Sequence, residues 1–375
     1  MPRSSRRDRI KLVVLSIALS VIAGWALWVT SPKPELSSVA WDSPFTAAYV
    51  EGHRGRVITE VSKSFELLGT IAAIAGREGV DQAADQVAAF LPYSSHAAVS
   101  NVRDLLRTAS IQELSGIFAY TLRDSRLERA LPHELPSSLE LLAPHMSTIE
   151  AFAAESGFEA FFDGRRDHYD ALVGGLRQQT QFERIKAWLD AQFPAVSHDA
   201  IRVIVSPTLS VSGFSHNFTG DGYSEIVLFV PATGLIDDDR TAGGRSVPQG
   251  EIFAGAARHY VNRMTDRYIR IVNRVFANVA VWRAGALTDE PSAVFNEYMS
   301  WAAYLLHVRD AETSETYRAI AEHVIDHMHA LGYVRFETLW ERIAKLYDDR
   351  DEPLGALYPR IIREAIGIAN AAESL

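Results

Sequence analysis

Cysteine is missing from all 375 residues. That absence excludes disulfides, thiolate zinc knuckles and a cysteine nucleophile together, and it fits any redox compartment. Walker and dinucleotide fingerprints are missing too, since the glycine pair of "LVGGLRQQ" at Leu172 sits in a helical pattern rather than after a strand. No G-x-S-x-G elbow is present, so a serine nucleophile would lack the strand-to-helix turn that exposes it. There is no internal repeat and no low-complexity tract. Positive charge is scarce as well. The formal charge is −10, and residues 1 to 11 hold a local +4 (Arg3, Arg6, Arg7, Arg9 and Lys11 against Asp8), which leaves the remainder near −14. Such a body has little with which to neutralise phosphates, which argues against nucleic acid as a partner.

With 47% hydrophobic and 22% charged residues, the chain has a globular mixture and enough length for a substantial core. After the basic cluster of residues 1–11 comes "LVVLSIALSVIAGWALWV", Leu12 to Val29. As a helix this uncharged run rises about 27 Å, close to the thickness of the hydrocarbon layer. It predicts a transmembrane helix over residues 12–29. The basic cluster before it keeps the amino terminus cytoplasmic and sends everything after Trp28 across. A cleaved signal peptide is the competing reading, but the run is long for one and its best small-residue site, Gly24 and Ala26 around Trp25, is poor. Either way the body is expected in a periplasm. An uncleaved anchor makes the chain a single-pass inner-membrane protein with the lipid bilayer as its first partner.

"SPKPELSSVAWDSPF" reads as an extended tether, so residues 30–45 are taken as linker and residues 46–375 as one body, with a break near 195 as the only place to divide it. Val57 to Val61 alternate like a strand, and Phe65, Leu67, Leu68, Ile71 and Ile74 then recur at helical spacing. Ile201 to Pro207 and Ser224 to Pro231 read as buried strands, separated by a loop "SVSGFSHNFTGDG". From Pro248 onward helices are predicted over about 249–264, 268–284, 291–308, 312–330, 334–347 and 355–371. The fold class is therefore α+β, mostly helical with a small sheet.

"FAGAARHYVNRMTDRY", from Phe253, holds the most suggestive helix. A zinc-protease helix needs two imidazoles one turn apart and a glutamate beside the first, the H-E-x-x-H pattern, because i and i+4 share a helix face and the glutamate takes the proton of the bound water. A third ligand, often a glutamate from a later helix, completes the set. A strand, a loop, a helix near Gln249 and a later helix with Glu297 occur here in that order.

On these residues the chain resembles a bacterial family of zincin-like (gluzincin-like) domains of unknown function whose helix reads like H-E-F-x-H-x-F-V-N-P. The resemblance extends over most of residues 50 to 310: Glu66, Leu67 and Leu68 in "SFELLGT", Tyr93 and His96 in "AAFLPYSSHAAV", "SGFEAFFDGRRDHYDAL", and Ser206-Pro207. Matching Tyr260, Val261 and Asn262 to F-V-N puts Ala254, Gly255, Ala256, Ala257 and Arg258 on the five motif positions. A register shifted by one puts His259 on the second histidine, with Gly255 and Ala256 on the first histidine and the glutamate. Both registers lose a ligand and the general base. The first register implies that Arg258 points at Glu297 and replaces an absent cation with a guanidinium.

Rival sites are weaker. His323, Asp326 and His327 mimic the inverted H-x-x-E-H motif, with His329 nearby, but aspartate reaches less far than glutamate and a solvated helix face explains the pattern as well. Ser212, Ser215, His216 and Asp221 crowd the turn-rich loop, with His216 as a candidate lip of the cleft, and Asp237, Asp238 and Asp239 lack the spacing of a calcium loop.

The resemblance thus implies a membrane-anchored, exported pseudo-metallopeptidase: a binding or regulatory module for a peptide or envelope protein, with no cofactor and with Arg258, Tyr260, Asn262, Glu297 and His216 lining the old cleft. The alternatives are an active zinc-dependent hydrolase using His259, Glu297 and the His323/His327 pair, and an anchored helical scaffold.

Overall fold

A five-stranded mixed sheet stands at the centre of an otherwise helical body, about 64% helix. The computed structural model describes residues 40–76, 84–209, 213–232, 242–285 and 289–373, and Ser38–Leu375 form one unit. The apolar run at residues 12–29 lies outside the described residues. Among those described, no helix is long and apolar enough to cross a membrane.

In chain order come β1 (Ala40–Asp42), α1 (Ala47–His53), β2 (Val57–Glu60), α2 (Lys63–Ile74), α3 (Ala84–Phe90), α4 (Ala97–Leu105) and a hairpin, β3 (Tyr120–Arg123) with β4 (Arg126–Arg129). Helices α5 (Pro136–Leu142), α6 (Met146–Ser156), α7 (Phe158–Asp163), α8 (Arg166–Thr180) and α9 (Phe182–Gln192) lead to β5 (Ala200–Ser206), β6 (Phe214–Gly220) and β7 (Tyr223–Pro231). The rest is helical: α10 (Ala242–Asp266), α11 (Ile269–Val275), α12 (Val279–Trp282), α13 (Pro291–Ala311), α14 (Ser314–Ala330), α15 (Phe336–Asp348) and α16 (Tyr358–Glu373).

The sheet order is β1-β6-β7-β5-β2. Strands β2, β5 and β7 are mutually parallel, β6 runs antiparallel to β7, and β1 is parallel to β6. Every residue of β5 is buried, as a strand covered on both faces requires. On one face Ile201, Val203, Val205, Ile226, Leu228 and Val230 join the large core with α10 and α13. The opposite face carries Arg202, Ser206, Glu225 and Phe229, and α2 packs there, with the Phe65 and Phe229 rings 4.9 Å apart.

Three expectations change. The tether of residues 30–45 is not all linker: Ala40–Asp42 pair with Asn217–Thr219, and Phe45 is buried. The supposed loop "SVSGFSHNFTGDG" contains a full strand, β6, turned into β7 by Asp221 (φ 50°) and Gly222 (φ 71°), the left-handed pair that a two-residue hairpin demands. Helix α10 also begins earlier than Gln249. It runs through Pro248, which removes one backbone hydrogen bond without ending the helix.

Helix starts follow side-chain chemistry. Ser62 caps α2 by accepting from the Phe65 amide, Thr313 caps α14 by accepting from the Thr316 amide, and His96 caps α4 through Nδ1.

Candidate functional site

Helix α10 lies between the sheet and α13, and small residues allow the close approach. A Cβ built on Gly250 would fall 2.4 Å from the Trp301 ring, and Ala254 and Ala257 have no exposed surface. Glu297 and Trp301, one turn apart on α13, face this helix. The Arg258 guanidinium grips Glu297 at two points: Nε donates to Oε2 at 2.9 Å and Nη2 to Oε1 at 2.8 Å. The Trp301 indole N–H donates to the same Oε1 at 2.9 Å. Burial works against the Arg258 charge, but Glu297 more than offsets it, and the guanidinium pKa lies above its ordinary value. The side chains retain 14% and 17% of their exposure, so the pair sits at the rim of the core rather than in it.

This arrangement has a direct chemical consequence. An arginine cannot give up its proton in a protein, and here its charge occupies both oxygens of the Glu297 carboxylate. A metal ion would have to displace a two-point, charge-assisted contact and accept a like charge beside it.

The neighbouring motif residues turn elsewhere. Adjacent residues on a helix point about 100° apart, and His259 faces the sheet while Arg258 faces α13. His259 is buried; its Nε2–H donates to the Ser215 hydroxyl at 2.9 Å, which donates in turn to the Gly255 carbonyl at 3.0 Å. Burial and the neighbouring His198 push its pKa well below the usual range, so it is neutral. The shifted register therefore separates its two surviving ligands: His259 and Glu297 are committed to different partners. Tyr260 is fully buried and donates to Asp190 at 2.7 Å, Asn262 is buried, and a Cβ on Gly255 would meet only Leu228 at 3.7 Å.

The other candidates do not join this site. His216 is in β6, not in a loop, and it belongs to the sheet face opposite α10, where its Nε2–H donates to Ser115 at 2.9 Å. It is no lip of the Arg258 cleft. His323 is exposed and donates to the Ala319 carbonyl, whereas the His327 ring lies 5.1 Å from Trp301. Among the described residues no group of three or more His, Asp or Glu is placed to hold one metal ion. Ser212 and Asp237 to Asp239 lie outside the described residues.

Two buried polar networks on the opposite sheet face escaped the reading of the sequence. In the first, Glu225 of β7, with no exposed surface, accepts from Arg202 Nε at 2.9 Å, from Tyr49 at 2.9 Å and from Tyr223 at 3.1 Å, with His133 Nε2 3.4 Å away. Arg202 also reaches Glu60 at 2.5 Å and the Tyr49 hydroxyl at 2.8 Å. Burial alone would raise the Glu225 pKa, but His133, Arg202 and Tyr49 together pull it down to about 2. A lone arginine inside the apolar run "IRVIVSP" was the available signal, because a buried guanidinium must have a partner.

In the second network Glu66, also without exposed surface, accepts from the Ser206 hydroxyl and, at 3.5 Å, from Gln86, which also donates to Thr70 and accepts from Tyr169 at 3.2 Å. Burial raises the Glu66 pKa to about 7 against the pull of Ser206, Thr208 and Gln86. Glu66, Tyr169 and Ser206 come from three segments far apart in the chain.

No family model, curated protein or solved structure matches the chain.

Proposed function

We propose that the chain is a membrane-anchored, exported protein with a zincin-like body, in which an ion pair stands where such a body would hold its metal. It serves as a non-catalytic binding or regulatory module in the cell envelope. The observation that carries this reading is the two-point contact of Arg258 with Glu297, the residues that the resemblance, in its first register, implies for the second histidine and the third ligand. Support also comes from the meeting of Glu66, Tyr169 and Ser206, because segments that resemble one family in sequence gain weight when they share one network. An active hydrolase needs convergent ligands, and His259, His323 and His327 each turn to a different neighbour.

Zinc content tests the proposal. The wild-type chain, purified without chelators, is expected to carry no stoichiometric zinc. The combined variant Ala254→His, Gly255→Glu and Arg258→His frees Glu297 and supplies the missing donors, and should acquire zinc binding by titration calorimetry. Tightly held zinc near one per chain in the wild type would overturn the pseudoenzyme reading. A triple variant that folds but binds nothing, while Gly255→His with Ala256→Glu does bind, would move the motif by one residue.

A further inference from the structure

The acidic body carries one concentrated exception to its charge. From Arg263 to Arg274, where α10 ends and α11 follows, there are four arginines and one acidic residue, Asp266. Arg270 and Arg274 lie one turn apart on α11, Arg263 is in the last turn of α10, and Arg267 is in the turn between the two helices. All four are exposed; Arg267 donates to the Ala195 carbonyl, and Arg263, Arg270 and Arg274 form no ion pair with any described residue. Among them stands Ile271, 45% exposed, while Val272 and Phe276 on the inner side of α11 are buried. A single exposed isoleucine is ordinary on a protein surface. Four arginines around it, three of them in no ion pair with a described residue, stand out on a chain of net charge −10.

We propose that this surface, Arg263, Arg267, Arg270 and Arg274 around Ile271, docks the body onto an anionic phospholipid bilayer. The guanidinium groups would hold lipid phosphates, which they match in charge and in planar two-point geometry, and Ile271 would enter the interface between headgroups. A bilayer is favoured over nucleic acid because an apolar side chain at the centre of the patch gains from acyl chains and nothing from a phosphodiester backbone. The surrounding acidic body would also repel a polyanion that extended beyond four arginines. The inference rests on the membrane-anchored reading, which places the body beside a bilayer.

The test uses the full-length chain in nanodiscs of phosphatidylcholine alone or of equal parts phosphatidylcholine and phosphatidylglycerol. Amide exchange of residues 263–276 should slow several-fold in the anionic discs only, and the protection should fade as salt is raised. Arg270→Gln with Arg274→Gln should weaken the interaction by about fivefold per arginine, and Ile271→Ser should reduce the protection while leaving its salt dependence. Equal exchange in both kinds of disc would overturn the proposal. So would protection by a free oligonucleotide that vesicles of the same anionic mixture fail to reproduce. If the chain does not enter discs at all, the anchor reading fails by itself, and co-sedimentation with those vesicles still decides whether the arginine surface binds lipid.

Discussion

Glu66 and Glu225 are the same residue type, equally buried, and their surroundings drive them in opposite directions. Glu225 has His133 beside it, a guanidinium on one oxygen and phenols on the other, so its charge is compensated and its pKa falls to about 2. Glu66 meets only neutral hydroxyls and an amide, so burial dominates and its pKa rises to about 7. The two sites should answer differently to the same neutral substitution. Glu225→Gln takes from buried Arg202 the more deeply buried of its two carboxylate partners, leaving Glu60, and should cost about 3 kcal/mol. Glu66→Gln replaces a group that is largely neutral below its pKa of about 7 and should cost no more than about 1 kcal/mol at pH 6. Urea unfolding of both variants checks the contrast, and equal losses would mean that Glu66 is charged in the folded protein.

At the scale of elements, the packing of α10 on α13 depends on a missing side chain. Gly250→Ala places a methyl carbon against the buried Trp301 ring and should cost about 1 to 3 kcal/mol by overpacking, even though alanine is the better helix former. The variant should also loosen the Trp301 bond to Glu297, read as a shift in tryptophan fluorescence; a stabilised variant with unchanged fluorescence would contradict the close contact. Most helices after Pro248 were readable because their apolar faces recur at a steady period, but the one expected over 268–284 is broken at 276–278 into α11 and α12. Strand β6 was not, because Ser215, His216 and Asn217 look like loop residues until their partners are known: Gly255, Ser115 and Ser224 satisfy them inside the fold. Asp221 and Gly222 were the local hint of a hairpin, outweighed by the polar run before them. Strand β1 was too short to register against a proline- and serine-rich background. The pairing of Arg258 with Glu297 was legible only through the order of the segments that resemble a family. Arg202 with Glu225, which join two adjacent strands diagonally, could not be paired until the register of those strands was known.

Across the whole molecule, buried histidines set the response to acid. His198 and His216 are pushed down to about 4 by burial, so both are neutral in the folded protein at neutral pH. A depressed pKa gives stability that is complete above the unfolded value of 6.5 and is lost as pH falls toward 4, roughly 3 kcal/mol for each. Glu66 acts in the reverse sense: its raised pKa gives stability that is complete below 4.5 and is lost as pH rises through about 7. Two histidines outweigh one glutamate, and His259 adds to their side. The melting temperature should therefore fall between pH 6.5 and pH 4.5, with a smaller fall in His216→Gln; a melting temperature that holds or climbs over that range would show that these histidines are not neutral.

The order of the strands in the sheet also bears on how the protein folds. Strands β1 and β2, made before residue 61, pair only with β6 and β5, which lie beyond residue 199. Such distant parallel pairing carries a large loop-closure cost and slow folding. Synthesis from the amino terminus presents these strands long before their neighbours arrive. For that interval Val57–Glu60 are an unpaired edge, open to association with other chains.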